Sequence, residues 1–230
     1  MTKPRLLDLF CGAGGAGMGY HQAGFEVVGV DINQQKNYPF EFIQADAMTY
    51  PLDGFDAIHA SPPCQAYSAG KNMWKGRLAD DRHPDLVSAT RERLIATGLP
   101  YVIENVVGSP LVNYITLCGD MFGLGVKRHR LFESNVEMQP PAKCRRGHPD
   151  FVASVFGGGG LSRTPPGGST THGAGNFMQR RVHVPHEDCK KAMGIDWMIR
   201  DELSQSIPPA YTKYVGKYLM AEVQALAVAA

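Results

Sequence analysis

Four short clusters in this sequence hold residue types that can do chemistry together. Ser61-Pro62-Pro63-Cys64-Gln65 places two backbone-restricting prolines just ahead of a thiol. Glu104-Asn105-Val106 puts a carboxylate after the apolar run YVI, and Arg128-His129-Arg130 offers two guanidinium groups at strand-like spacing, expected to face one way. The stretch Asp8 to Gly17 (DLFCGAGGAG) is rich in glycine and is followed by Asp31. One reaction uses all four. A thiolate on Cys64 that adds to C6 of a cytosine turns the ring into an enamine, whose C5 can then attack an electrophilic methyl group. That addition needs N3 protonated or hydrogen-bonded and O2 held by a cation, tasks suited to Glu104 and to Arg130 or Arg128. Nearby arginine is also expected to depress the pKa of the thiol.

Glycines let the backbone approach a ligand closely, and an acid such as Asp31 at the end of a second strand can accept hydrogen bonds from ribose hydroxyls. An adenosine-containing cofactor is implied. Gly12, Gly14 and Gly17 also satisfy G-x-G-x-x-G, so a nicotinamide-type (NAD) oxidoreductase is a rival, although it needs no nucleophile like Cys64. Asp46, in QADAM, stands where a further carboxylate can meet an adenine amino group; a solvated surface acid is the plainer alternative.

The elements that must carry these residues alternate between strand and helix. Leu6 to Phe10 reads as a strand, Gly15 to Ala23 as a helix, and Phe25 to Val30, ending in Asp31, as a second strand. Further strands are expected at 55–60 (FDAIHA) and 101–104 (YVIE), with a helix between them at about 84–97. This is an α/β, doubly wound, Rossmann-like pattern, in which ligands lie outside the carboxyl ends of the strands. Eight of the nineteen residues from Gly157 to Gly175 are glycine, so the texture from about 134 to 185 is that of a loop-rich lobe. The chain is expected to divide into a catalytic domain at 1–133, a small lobe at 134–185 and a C-terminal segment at 186–230 that packs back on the first.

With 43% hydrophobic and 20% charged residues, and no long apolar run, a soluble intracellular protein with no membrane association is expected. Five cysteines at wide spacings do not read as a disulfide framework. Cys144, His148, His183, His186 and Cys189 suggest no metal site, because their two halves are far apart and C-x-x-C is absent. Residues 1–60 hold three Lys/Arg against seven Asp/Glu, whereas residues 125–183 hold nine against three, a local basic region of the kind that meets phosphates. Arg145, Arg146, Arg180 and Arg181 are its candidates for phosphate contacts.

In order along the chain, DLFCGAGG, SPPCQ, ENV and FGLGVKRHRLF resemble the motifs of the DNA cytosine-5 methyltransferases, from residue 6 to about 218. The resemblance implies an S-adenosylmethionine-dependent methyltransferase sheet with a small target-recognition lobe. It implies S-adenosyl-L-methionine in a cleft at Phe10, Gly12, Gly14, Asp31 and Asp46, with Cys11, Ile32, Ala47 and Pro62 alongside. Cys64, Glu104, Arg128 and Arg130 become the catalytic set, acting on a base flipped out of double-stranded DNA by a monomeric enzyme in the cytoplasm of a bacterial or phage-infected cell. Lys71, Trp74, Lys75 and Arg77 correspond to a loop that closes over the flipped base. Two positions depart from the family: Val126 replaces the usual glutamine at the start of the arginine motif, and Gln205 replaces an asparagine in the last motif. A transfer-RNA cytosine-5 methyltransferase shares the cleft motifs. A thymidylate-synthase-type enzyme and a catalytically silent DNA-binding relative fit them less well.

Overall fold

A computed structural model describes residues 2–64, 67, 85–144, 155, 160–161 and 182–229. Seven strands form one sheet: β1 (Arg5–Leu9), β2 (Glu26–Asp31), β3 (Glu41–Gln44), β4 (Ala57–Ala60), β5 (Tyr101–Val106), β6 (Ile115–Leu117) and β7 (Arg130–Ser134), in the order β3-β2-β1-β4-β5-β7-β6. The first five run parallel, and β7 lies antiparallel between β5 and β6. Strands buried on both faces read as continuous apolar runs, which is why LLDL and EVVGV show little alternation. Gly160–Leu161 (β8) pairs with Val182–His183 (β9) as a separate two-residue ladder.

The sheet has a core on each face. Leu6, Val27, Val102 and Phe132 pack with Tyr20 of α1 (Gly15–Gln22) and with Tyr211, Val215 and Leu219 of α5 (Pro209–Ala229). On the other side Leu7, Leu9, Val30, Ile58, Ile103 and Leu131 pack with Val87 and Leu94 of α2 (Val87–Thr97). α1 is a weak helix by composition, GAGMGYHQ, and draws its stability from docking on α5. Gly19 permits this, since a Cβ there would run into Thr212 Oγ1 and the Pro209 carbonyl. A third core joins α3 (His186–Met193) and α4 (Arg200–Gln205) to the centre of the molecule, with Cys189, Met193, Met198 and Leu203 against Ala13 and Val126.

The expected strands and helices are therefore present, and α5 packs on the sheet beside α1. Two local expectations differ. β5 does not end at Glu104 but runs on through Asn105 and Val106, because pairing with β7 extends it. Arg128 and Arg130 do not share a strand face, because β7 begins at Arg130 and Arg128 has φ +37, outside the extended region. Gln65, Lys71, Trp74, Lys75, Arg77, Arg145, Arg146, His148, Arg180 and Arg181 lie outside the described residues.

Candidate active site

The carboxyl ends of β1, β2, β3, β4 and β5 bring the sequence motifs to one edge of the sheet. After β1 the chain turns through left-handed residues Phe10 (φ +56), Gly12 (φ +49) and Gly14 (φ +85). The turn is fastened at three points. Gly12 N–H donates to Asp31 Oδ2 at 3.1 Å, Cys11 N–H to the Val30 carbonyl at 3.2 Å, and Trp197 Nε1 to the Ala13 carbonyl at 2.8 Å. A Cβ at Gly12 would meet nothing within 4 Å, so this backbone borders open space.

This edge fits an adenosine-bearing group. Each Asp31 oxygen accepts one backbone N–H, from Gly12 and from Asn33 at 2.9 Å, and keeps a lone pair for a hydroxyl. Beside it Ile32 is 64% exposed, an apolar surface for a purine. Asp46 is exposed and also has the plainer role, since its Oδ1 caps the turn by accepting Met48 N–H at 2.8 Å. Ala47 is buried, and its carbonyl accepts from Arg93 at 2.7 Å. Burial pushes the Cys11 thiol far up, so it is a neutral packing group.

Next along the edge are Cys64, Glu104 and the two arginines. Buried Pro62 is held from below, its carbonyl accepting from Asn105 Nδ2 at 2.9 Å, so the ENV segment steadies the turn that presents Cys64. Arg130 Nε stands 3.1 Å from Glu104 Oε1, and both side chains are largely shielded from solvent. Burial pushes the Glu104 carboxyl up, while Arg130, a hydrogen bond from Ser61 and then Arg128 pull it down without cancelling that shift. Arg128 is buried, and its Nη2 donates to the Ser204 carbonyl at 2.8 Å. Burial, and then the Arg130 charge, weigh against its charged form.

The arginines do not lower the Cys64 pKa as expected from sequence. Burial and then Glu104 push the thiol up, and Arg130 and Arg128 oppose this only in part. In this state the thiol is held protonated.

Beneath the edge lie residues that sequence reasoning missed. Fully buried His59 in β4 joins Tyr20 Oη (Nδ1, 2.9 Å) to Ser61 Oγ (Nε2, 2.9 Å), and Ser61 bonds in turn to Glu104. Burial lowers the His59 pKa to about 3, so the ring is neutral and joins a hydroxyl chain that ends on the Glu104 carboxyl. Asp8, paired in register with His59, is also buried; it accepts from Tyr38 Oη at 3.2 Å, and burial raises its pKa to about 8. The clue available in sequence was two titratable residues inside otherwise apolar strands. Tyr211 Oη donates to the Arg128 carbonyl at 2.9 Å and so ties α5 to the arginine loop.

The two family departures have local reasons. Val126 is 2% exposed in the third core, where an unpaired amide would be costly. Gln205 is exposed, while its neighbour Ser206 packs against Gly15 of the glycine turn.

A seven-stranded mixed sheet with this glycine turn is the fold of the S-adenosylmethionine-dependent methyltransferases. Over nearly its whole length the chain is similar to two solved structures. One is the methyltransferase EhMeth of Entamoeba histolytica (TM-score 0.63, 14% identity, 97% of this chain and 99% of that one). The other is the Dnmt2 methyltransferase of S. pombe (TM-score 0.59, 15% identity, 96% and 99%). Residues 4–108, a little under half of the chain, match the family described as C-5 cytosine-specific DNA methylase, a family whose methyl donor is S-adenosylmethionine. A stretch of 79 residues is 34% identical to the type II methyltransferase M.FnuDI of Fusobacterium nucleatum, covering 30% of this chain and 23% of that protein. The match thus spans under a quarter of that relative's length. No helix among the described residues is long and apolar enough to cross a membrane.

Proposed function

We propose that the chain transfers a methyl group to C5 of cytosine in double-stranded DNA through a transient bond between Cys64 and C6 of a flipped-out base. The observation that carries this reading is the meeting of Cys64, Glu104 and Arg130 at one sheet edge, next to the glycine turn. S-adenosylmethionine, when bound, supplies an electrophilic methyl group. Gly12, Gly14, Asp31, Ile32 and Asp46 are the residues that would hold its adenosine end, with Phe10, Cys11, Ala47 and Pro62 shaping the cleft.

The residues divide the remaining work by their environments. Burial favours the protonated Glu104 carboxyl, which can donate to N3 and stabilise the ring as charge develops there. Arg130 is paired with Glu104 at 3.1 Å and can turn its other guanidinium nitrogens to O2. As Cys64 Sγ bonds to C6, its proton must leave, and the arginine charges favour the thiolate during this step. Loss of the C5 proton and rupture of the S–C6 bond then release the methylated base. The lobe at 134–185 is assigned to target recognition.

The affinity of the chain for a duplex containing 5-fluorocytosine tests this reading. With donor present, a covalent adduct at Cys64 is expected on DNA, none with Cys64→Ser, and donor binding should survive in that variant. The runner-up is a transfer-RNA cytosine. An adduct on 5-fluorocytosine RNA but on no duplex DNA would transfer the assignment to RNA, and bisulfite sequencing of DNA from expressing cells would then show no context protected from conversion.

A further inference from the structure

Outside the cleft, a second group of side chains gathers where the C-terminal end of β6 meets the start of β7. Cys118 follows β6 directly, and His129 directly precedes β7. The register Leu117↔Arg130 makes these two the next pair beyond the ladder, so two hydrogen-bonded strands set their separation. Cys144, fifteen residues after His129, arrives from a different loop, and its Sγ lies 3.3 Å from His129 Nε2. The thiol sulfurs of Cys118 and Cys144 and the nearest His129 nitrogen all lie within 4.8 Å of one another.

We propose that Cys118, His129 and Cys144 form a binding site for a borderline-soft divalent cation, zinc above all. Zinc binds thiolate at about 2.3 Å and imidazole at about 2.0 Å in tetrahedral geometry, which sets its ligands about 3.5–3.8 Å apart. The observed cluster needs side-chain movement of about 1 Å to meet that spacing. Two sulfurs and one nitrogen select zinc over magnesium or calcium, which take oxygen ligands. Cys118 is buried, whereas His129 and Cys144 are partly exposed, so the group has a protein-lined floor and an entry from solvent. The fourth position falls to water or another donor.

Charge and protons balance. Two thiols release two protons to solvent, and the resulting thiolates neutralise the dication, so no net charge is added beside Arg128 and Arg130. Cys118 Sγ lies 3.1 Å from the Lys127 carbonyl, and losing its proton does not orphan that oxygen, which also accepts Gly119 N–H at 2.8 Å. The bound ion would clamp residue 144 to the segment that carries both arginines. Sequence spacing had grouped Cys144 with His148, His183, His186 and Cys189. The structure instead buries Cys189 in the third core and bonds His186 Nε2 to the Met198 carbonyl at 3.0 Å.

The test is metal analysis of the full chain purified without chelator, together with cobalt(II) titration of the metal-stripped protein. About one zinc per chain is expected, with X-ray absorption showing two sulfur ligands and a cobalt form bearing thiolate charge-transfer bands. Cys144→Ser should lose the metal and those bands, while Cys64→Ser keeps both. Should Cys144→Ser fail to fold, the sulfur count of the wild-type zinc and cobalt forms decides the matter alone. The proposal is overturned by a wild-type protein that takes up neither ion, by metal that survives in folded Cys144→Ser, by metal lost in Cys64→Ser, or by a Cys118–Cys144 disulfide in protein prepared under reducing conditions.

Discussion

Arg130 and Glu104 meet diagonally across two antiparallel strands: Glu104 is opposite Phe132 and Arg130 opposite Val106, so their side chains share a sheet face and close to 3.1 Å. Both are largely withdrawn from solvent, and a buried pair of this kind costs most when only one member is removed. Arg130→Ala should therefore lower folding stability by about 3 kcal/mol, at the modest end because Glu104 can take up a proton. Urea denaturation measures it, and Arg130→Lys, which keeps the charge but not the fork, should recover part of the loss. An unchanged midpoint in Arg130→Ala would show that the pair contributes nothing.

Glu104→Gln keeps the shape of the side chain and removes its proton-exchanging ability. Turnover should fall by on the order of 100-fold or more while duplex affinity changes little, because the carboxyl acts on charge that develops during the reaction. Single-turnover kinetics alongside a binding titration separate the two effects. Equal losses in rate and affinity would reassign Glu104 to substrate binding.

Two glycines of the N-terminal region should respond in opposite ways to the same change. Gly19→Ala drives a methyl group into the Thr212 side chain and the Pro209 backbone, and should destabilise the fold by about 3 kcal/mol as α1 is pushed off α5. Gly12→Ala meets no neighbour and bears only the strain of its positive φ, about 1 kcal/mol. Its methyl group points into the open space beside Asp31, so donor affinity should drop far more than the melting temperature. Calorimetric titration with S-adenosylmethionine and thermal melts would distinguish the two variants.

Asp8 and His59 predict how stability varies with pH. Folded Asp8 holds its proton to about pH 8, whereas the unfolded residue releases it above 3.8, so stability falls as pH rises between those values. His59 acts in the opposite sense and lower down, since the unfolded ring takes up a proton below 6.5 that the folded ring refuses until about 3. Between pH 6.5 and 8 only the Asp8 contribution of this pair operates. The melting temperature of the wild type should decline across that window, and Asp8→Asn should flatten the decline; a parallel decline in the variant would place the proton elsewhere.

The sequence by itself determined the parallel half of the fold and singled out residues that the structure gathers at the candidate site. Apolar runs such as LLDL and VVGV mark doubly buried strands, and the residues just past them are the ones a cleft can use. Cys64, Glu104, Arg128 and Arg130 were legible as candidates because the proposed reaction would use those groups together. Tertiary structure decided what their surroundings do to them. Whether arginine or burial governs the Cys64 thiol depends on distances and solvent exclusion, and burial prevails. The extension of β5 beyond Glu104 comes from a partner strand about twenty-five residues later, and the approach of Cys118, His129 and Cys144 from the ends of that same ladder and a separate loop. Local sequence carries no record of such pairings, because they are fixed by the packing of segments distant along the chain.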